Sequence, residues 1–234
     1  MNDQEIAVIV GAGVGLSASL ARTFSDNGMK VALAARNPSK LNNIVAETDA
    51  KAYSCDVSNL EEVKKLFSDV VSDLGTPNVV VFNPSARVRG AITDINPEEV
   101  RDALLVTTYG GFLVGQAAAA LMVPKKRGTI FFTGASAGVK GFPMSATFAM
   151  GKFGLRGLAQ SMARELHPQN IHVVHVVVDG GIRSVEKGRV EAEEDISDKW
   201  LDPDAIASTY WHLHTQHRSS WSWEIEVRPW VENF

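Results

Sequence analysis

The chain of 234 residues is short of cysteine, of tyrosine and of long apolar runs. Its one cysteine, Cys55, excludes an internal disulfide, and with it a disulfide scaffold or a cysteine-built zinc site. No unbroken run of about 18 apolar residues occurs, the length a membrane-crossing helix needs, so no membrane partner is predicted. An excess of basic charge is missing too. Lys and Arg number 23 against 27 Asp and Glu, a net charge of −4, which argues against a nucleic acid or an anionic membrane as partner. The opening residues Met1 to Glu5 carry no basic stretch before an apolar run, so no leader is expected. These absences predict a soluble, cytoplasmic protein. What is present is a 45% hydrophobic composition, enough for one substantial core, and 19 glycines, several of them where strands should end.

Short β-branched runs alternate with longer helix-like segments. Residues Ile6 to Val10, Val31 to Ala35, Val79 to Phe82, Thr129 to Thr133 and Ile171 to Val178 read as buried strands. Ala50 to Ser54 joins them on its place in the alternation. Helical spacing marks Leu16 to Asn27, Leu41 to Thr48, Asn59 to Leu74, Pro97 to Met122 and Ala149 to His167. Asn59 or Ser58 can cap the third of these, with Glu61 and Glu62 in its first turn. The pattern predicts one α/β domain over residues 1–234, a doubly wound, Rossmann-type parallel sheet with helices on both faces.

After Val178 the alternation breaks. Residues Gly181 to Asp202 are charged and weakly patterned, and a stretch about 183–202 reads as a lid over a substrate site, or else as a disordered surface loop. A helix opening at Pro203 runs to about Gln216, and Trp223 to Val227 alternates like a last strand.

Gly11-Ala12-Gly13-Val14-Gly15-Leu16-Ser17 stands between the first strand and the first helix. Glycine there lets a pyrophosphate approach the backbone, where the free N–H groups of a helix N-terminus attract it.

From these residues onward the sequence resembles the short-chain dehydrogenase/reductase family over nearly its whole length. The family turn TGxxxGxG is matched by Gly11 and Gly15, with Val10 and Ser17 at the other two places. Cys55-Asp56-Val57 is similar to the site that holds the adenine ring. Asn83, in Phe82-Asn83-Pro84-Ser85, stands where the family has NNAG. Lys152 fits the lysine of YxxxK, and Asp179-Gly180-Gly181-Ile182-Arg183-Ser184 fits PGxxxT beside the nicotinamide. The resemblance implies a nicotinamide dinucleotide cofactor bound by Gly11, Gly13, Gly15, Leu16, Asp56, Val57, Asn83, Lys152, Ile182 and Ser184.

The end of the second strand sets the choice of cofactor. A carboxylate there would bond the ribose 2′-hydroxyl, whereas an arginine would pair with a 2′-phosphate. Ala34-Ala35-Arg36-Asn37 offers Arg36 and no acid, so NADP(H) is favoured over NAD(H).

The resemblance also implies an Asn–Ser–Tyr–Lys catalytic set, and here the chain departs from the family. The tyrosine position is Phe148, the asparagine position is Thr107, and the serine position falls on Ala135, next to Ser136. Only Lys152 matches. Phenylalanine carries no proton, and a positioned general acid is worth about 10² to 10⁴ in rate. Three readings stay open. Another group supplies the proton, from Ser136, Ser145, Thr147, Tyr109 or water held by Lys152. The reaction is reduction of an activated C=C bond in an enoyl thioester. Or the chain keeps the fold and has lost turnover, acting as a dinucleotide-binding sensor or assembly subunit.

His212, His214 and His217 lack the spacing and the acidic partner of a metal site, so no metal is predicted. His172 and His175 read as structural, on opposite faces of a strand. The tryptophans near the C-terminus, Trp211, Trp221, Trp223 and Trp230, fit packing or an interface as well as a pocket. Small residues from Gly110 to Ala120 and from Gly151 to Ala159 suit close helix packing; the resemblance implies a homodimer or homotetramer. The reading that results is an atypical NADP(H)-dependent oxidoreductase acting on a small carbonyl, alcohol or enone.

Overall fold

The computed structural model describes residues 4–191 and 197–233. Seven strands, β1 (Ile6–Val10), β2 (Lys30–Ala35), β3 (Lys51–Ser54), β4 (Val79–Phe82), β5 (Gly128–Thr133), β6 (Ile171–Val178) and β7 (Glu224–Val227), form one sheet. Their order is β3-β2-β1-β4-β5-β6-β7, and every pairing is parallel. Parallel neighbours need crossovers, and the helices supply them on both faces. These are α1 (Leu16–Asp26), α2 (Asn42–Thr48), α3 (Leu60–Asp73), α4 (Pro97–Leu104), α5 (Gly110–Met122), α6 (Ala146–Leu166) and α7 (Pro203–His214). The predicted doubly wound sheet is the observed one.

The central strands β1, β4, β5 and β6 are almost wholly buried because both faces are covered, whereas the edge strands β3 and β7 carry polar, partly exposed residues. Two core layers result. Phe82, Leu113, Phe132 and Leu155 pack on one face, and Leu20, Phe24, Phe131 and Tyr210 on the other. Truncating one of these large rings, Phe132 for example, to alanine would cost about 3–5 kcal/mol. As predicted, Asn59 caps α3, its side chain accepting from the Glu61 and Glu62 amides at 2.9 and 3.3 Å.

The structure differs from the expectations in three places. The sixth helix starts at Ala146, a turn-length earlier than its periodic face suggests, because Ser145 and Thr147 are already buried. The helix expected over Pro97 to Met122 is broken by a π turn at Leu105–Tyr109. Such turns insert an extra residue and re-aim the side chains that follow. The third difference concerns membranes. The helical run Pro97–Lys125 is long and apolar enough to cross one, by length and composition, although no unbroken apolar run of that length exists. Its apolar face lies on the sheet, with Leu113, Val114, Ala118 and Met122 buried in the core.

His172 and His175 do sit on opposite faces of β6. The first meets the Ser222 carbonyl at 2.9 Å and stacks on Trp221, and the second lies 2.9 Å from Glu224.

Candidate active site

A cleft of about 1670 Å³ runs along the C-terminal ends of the strands, where an open α/β sheet places its ligand sites. Gly11, Gly13, Gly15, Leu16, Arg36, Asp56, Val57, Asn83, Ser136, Phe148, Lys152, Ile182 and Ser184 all line it. Residues scattered over the sequence are thus gathered by the sheet order alone.

At one end lies the glycine turn. Gly11 has φ +80°, and a side chain there would meet Pro84 at 2.7 Å. Above Gly13 and Gly15 a Cβ would meet nothing within 4 Å. Helix α1 starts at this open space without a side-chain cap on Gly15, so its first amides point into the cleft unpaired by any cap. Ser17 ties the turn to the end of β4. Its hydroxyl donates to the Gly11 carbonyl at 3.2 Å and accepts from the Asn83 side chain at 2.8 Å. An open cradle of amides suits a pyrophosphate.

Arg36 and Lys40 stand on the cleft wall beyond β2. Asp56 lies near Arg36. Its Oδ1 accepts from the Ser58 hydroxyl at 2.6 Å and the Ser58 amide at 2.9 Å, while its own amide donates to Glu62 at 2.8 Å. The Ser58 hydroxyl bond, with help from Arg36, holds the Asp56 carboxyl below the usual range against the opposing effect of burial.

The middle of the cleft holds Lys152, which is 3% exposed. Its Nζ donates to the Thr133 carbonyl at 2.6 Å and lies 5.9 Å from the Phe148 ring centroid. Burial, reinforced by the charge of Arg87, pulls the Lys152 pKa down to about 7. Ser136 and Ser145 also line the cleft, whereas Thr147 and Tyr109 do not. Tyr109 is 41% exposed and stacks near Phe112, outside the cleft lining. The other two tyrosines are committed elsewhere: Tyr53 bonds Asp73 at 3.0 Å and Tyr210 bonds the Thr133 hydroxyl at 2.9 Å.

Thr107, an expected catalytic residue, is not among the residues that line the cleft. It is buried in the π turn, where its hydroxyl oxygen accepts from the Ala86 amide at 3.0 Å. That bond ties the segment after β4 to the π turn. That segment carries the residue that sequence reasoning missed. The Arg87 guanidinium carbon stacks 4.0 Å from the Phe148 ring centroid. No periodicity marks a loop arginine; the only signal was its closeness to Asn83 at the end of a central strand.

The described part of the expected lid is stitched in place. Ser184 and Arg189 exchange two backbone bonds of 2.9 Å, and Arg183 pairs with Asp202 at 2.7 Å. Residues 192–196 of that stretch lie outside the described residues.

A parallel sheet with a glycine cradle, a buried lysine and a cleft at its switch point defines a nicotinamide-dinucleotide-binding oxidoreductase fold. The family of short chain dehydrogenases matches residues 5–194, and the chain belongs to it. A short-chain dehydrogenase from Rhodopseudomonas palustris is 33% identical, with a TM-score of 0.83 over 97% of this chain and 99% of that one. A metagenomic short-chain oxidoreductase solved in complex with NADP is 28% identical, with a TM-score of 0.83 over 97% and 98%. An uncharacterized oxidoreductase of Staphylococcus aureus is 28% identical over 96% of this chain and 97% of its own length.

Proposed function

We propose that the chain is an atypical NADP(H)-dependent oxidoreductase whose proton chemistry runs without a phenol. The observation that carries this is Lys152, a buried amine with a pKa of about 7 on the cleft wall beside Phe148. When bound, NADP(H) supplies or accepts a hydride at the nicotinamide.

The residues present fit that cofactor. Gly11, Gly13, Gly15 and Leu16 would hold the pyrophosphate, Asp56 and Val57 the adenine, and Asn83, Ile182, Ser184 and Lys152 the nicotinamide half. Arg36 would pair with the 2′-phosphate. The lack of a carboxylate at the end of β2 supports NADP(H) over NAD(H).

Near neutral pH the Lys152 Nζ is protonated in part of the molecules, so it can give or take a proton where the phenyl ring cannot. Ser136 offers the hydroxyl that would bond a substrate oxygen. The Phe148 ring gives the site an apolar wall that keeps water back. Residues 183–191 would flank the substrate, a small carbonyl, alcohol or enone.

Exposed Tyr109, Met150 and Phe153 lie next in sequence to the contact of Thr108 with Gly151 and Gly154, and exposed Phe112 stacks on Tyr109. Apolar side chains left bare there support a homodimer or homotetramer.

The replacement of tyrosine by Phe148 favours one rival reading, a dinucleotide-binding protein without turnover. Single-turnover oxidation of NADPH across a carbonyl and enone panel separates the two. Consumption of NADPH with any member supports the enzyme; tight NADPH binding with no consumption supports the rival.

A further inference from the structure

The cleft is far more basic than the chain around it. Nine basic side chains and four acidic ones line it, in a protein whose net charge is −4. A bound dinucleotide with a 2′-phosphate would account for Arg36 and Lys40 at the β2 end. It leaves unexplained a second basic group at the Phe148 end. Arg87 stacks on Phe148 at 4.0 Å, and Arg189 packs over Trp200 at 5.9 Å. Arg89 lines the same wall, two residues beyond Arg87 on the segment pinned by Thr107.

Burial and the charges of Arg89 and Arg189 pull the Arg87 pKa down, so the three guanidiniums repel one another. Among the described residues, none of the three has a carboxylate within 4 Å. Glu186 and Glu232 share the cleft lining without pairing with them. Like charges gathered without counterions are costly unless a ligand supplies the opposite charge. Guanidiniums are also the side chains best shaped for planar, two-pronged recognition of carboxylate and phosphate.

We propose that Arg87, Arg89 and Arg189 form an anion pocket, and that the substrate carries a carboxylate or phosphate group held there beside the reacting carbonyl. The proposal names the substrate class for the oxidoreductase site and rests on that reading. Phe148 then has a positive role. Its ring is the platform that fixes the Arg87 guanidinium, through a cation–π contact, over the place where the family has its phenol.

The test is calorimetric titration of the NADP⁺-loaded protein with benzoate, phenyl phosphate and neutral benzamide. One of the two anions is expected to bind at least tenfold more tightly than benzamide, the scale of one charge-assisted hydrogen-bond pair. Whichever anion wins identifies the group as carboxylate or phosphate. Arg87→Met is expected to remove that advantage with NADPH affinity unchanged, and Arg87→Lys to keep part of it. Should Arg87→Met fail to fold by circular dichroism, Arg89→Met and Arg189→Met carry the same expectation. Equal binding of benzamide and both anions would overturn the proposal. So would a parallel loss of NADPH affinity in the arginine variants, since the cluster would then serve the cofactor. The probes need no turnover. Anion binding without hydride transfer to any carbonyl would sink the oxidoreductase reading and leave the pocket standing, and the converse result would do the opposite.

Discussion

The guanidinium carbon of Arg87 lies 4.0 Å from the centroid of the Phe148 ring. The ring at the position where a proton donor is expected thus carries a cation. The same cation helps to lower the pKa of Lys152, whose Nζ is 5.9 Å from that ring. An arginine, an aromatic ring and a buried lysine thus lie side by side, and the lysine pKa is brought into the neutral range.

Phe148→Tyr tests whether the old geometry survives beneath the new one. The variant is expected to gain carbonyl reductase activity, by about 10² in rate if the phenol reaches the substrate oxygen. Steady-state kinetics with an aldehyde and a ketone panel would show it. An unchanged rate would mean that the pocket has been rebuilt around Arg87.

Arg36→Asp is expected to weaken NADPH binding at least tenfold and to leave NADH the preferred cofactor, because a carboxylate repels the 2′-phosphate and bonds a 2′-hydroxyl. Fluorescence titration with both nucleotides measures the ratio. Unchanged NADPH affinity would remove Arg36 from the cofactor site.

Lys152 should leave a signature in stability against pH. Its folded pKa of about 7 lies well below the value of about 10.4 for an unfolded lysine, so the unfolded chain binds the proton more tightly. The penalty for holding a charged Lys152 is full below pH 7 and fades as pH rises toward the unfolded value. Relative to Lys152→Met, the native protein should gain stability between about pH 7 and pH 10. Urea unfolding of both proteins at several pH values would reveal it, and parallel curves would contradict a buried, depressed lysine.

A double substitution, Phe112→Glu with Phe153→Glu, places charge on two side chains that are 42% and 44% exposed. Neither contributes to the core, so the fold should persist while the assembly falls to monomers by light scattering. A native protein that is already monomeric would refute the interface.

Much of this architecture could be read from the chain. Unbroken apolar runs such as Ile171 to Val178 announced strands covered on both faces, and all eight residues of that strand are buried. The glycines of the first turn and Lys152 fell on the cleft because their positions depend on the sheet order, which the alternation of elements dictates. What escaped the sequence depends on irregular backbone. Thr107 sits in the π turn at Leu105–Tyr109, bonded to the Ala86 amide, and helical periodicity does not register a single inserted residue. Arg87 lies in a loop whose course is set by that bond, so its encounter with Phe148 was invisible until both were placed in space. The start of α6 departs from the periodic pattern for a related reason: Ser145 and Thr147 are polar in type yet buried in place.

The central claim is hydride transfer at a site without a phenol, and isotope transfer tests it most directly. Single turnovers with NADPH carrying deuterium at the nicotinamide C4 would be run against carbonyl and enone substrates, with the product analysed by mass spectrometry. The account predicts one deuterium in the product of at least one substrate, with a rate governed by a group titrating near pH 7 and abolished by Lys152→Met. Tight NADPH binding with no deuterium in any product would contradict it.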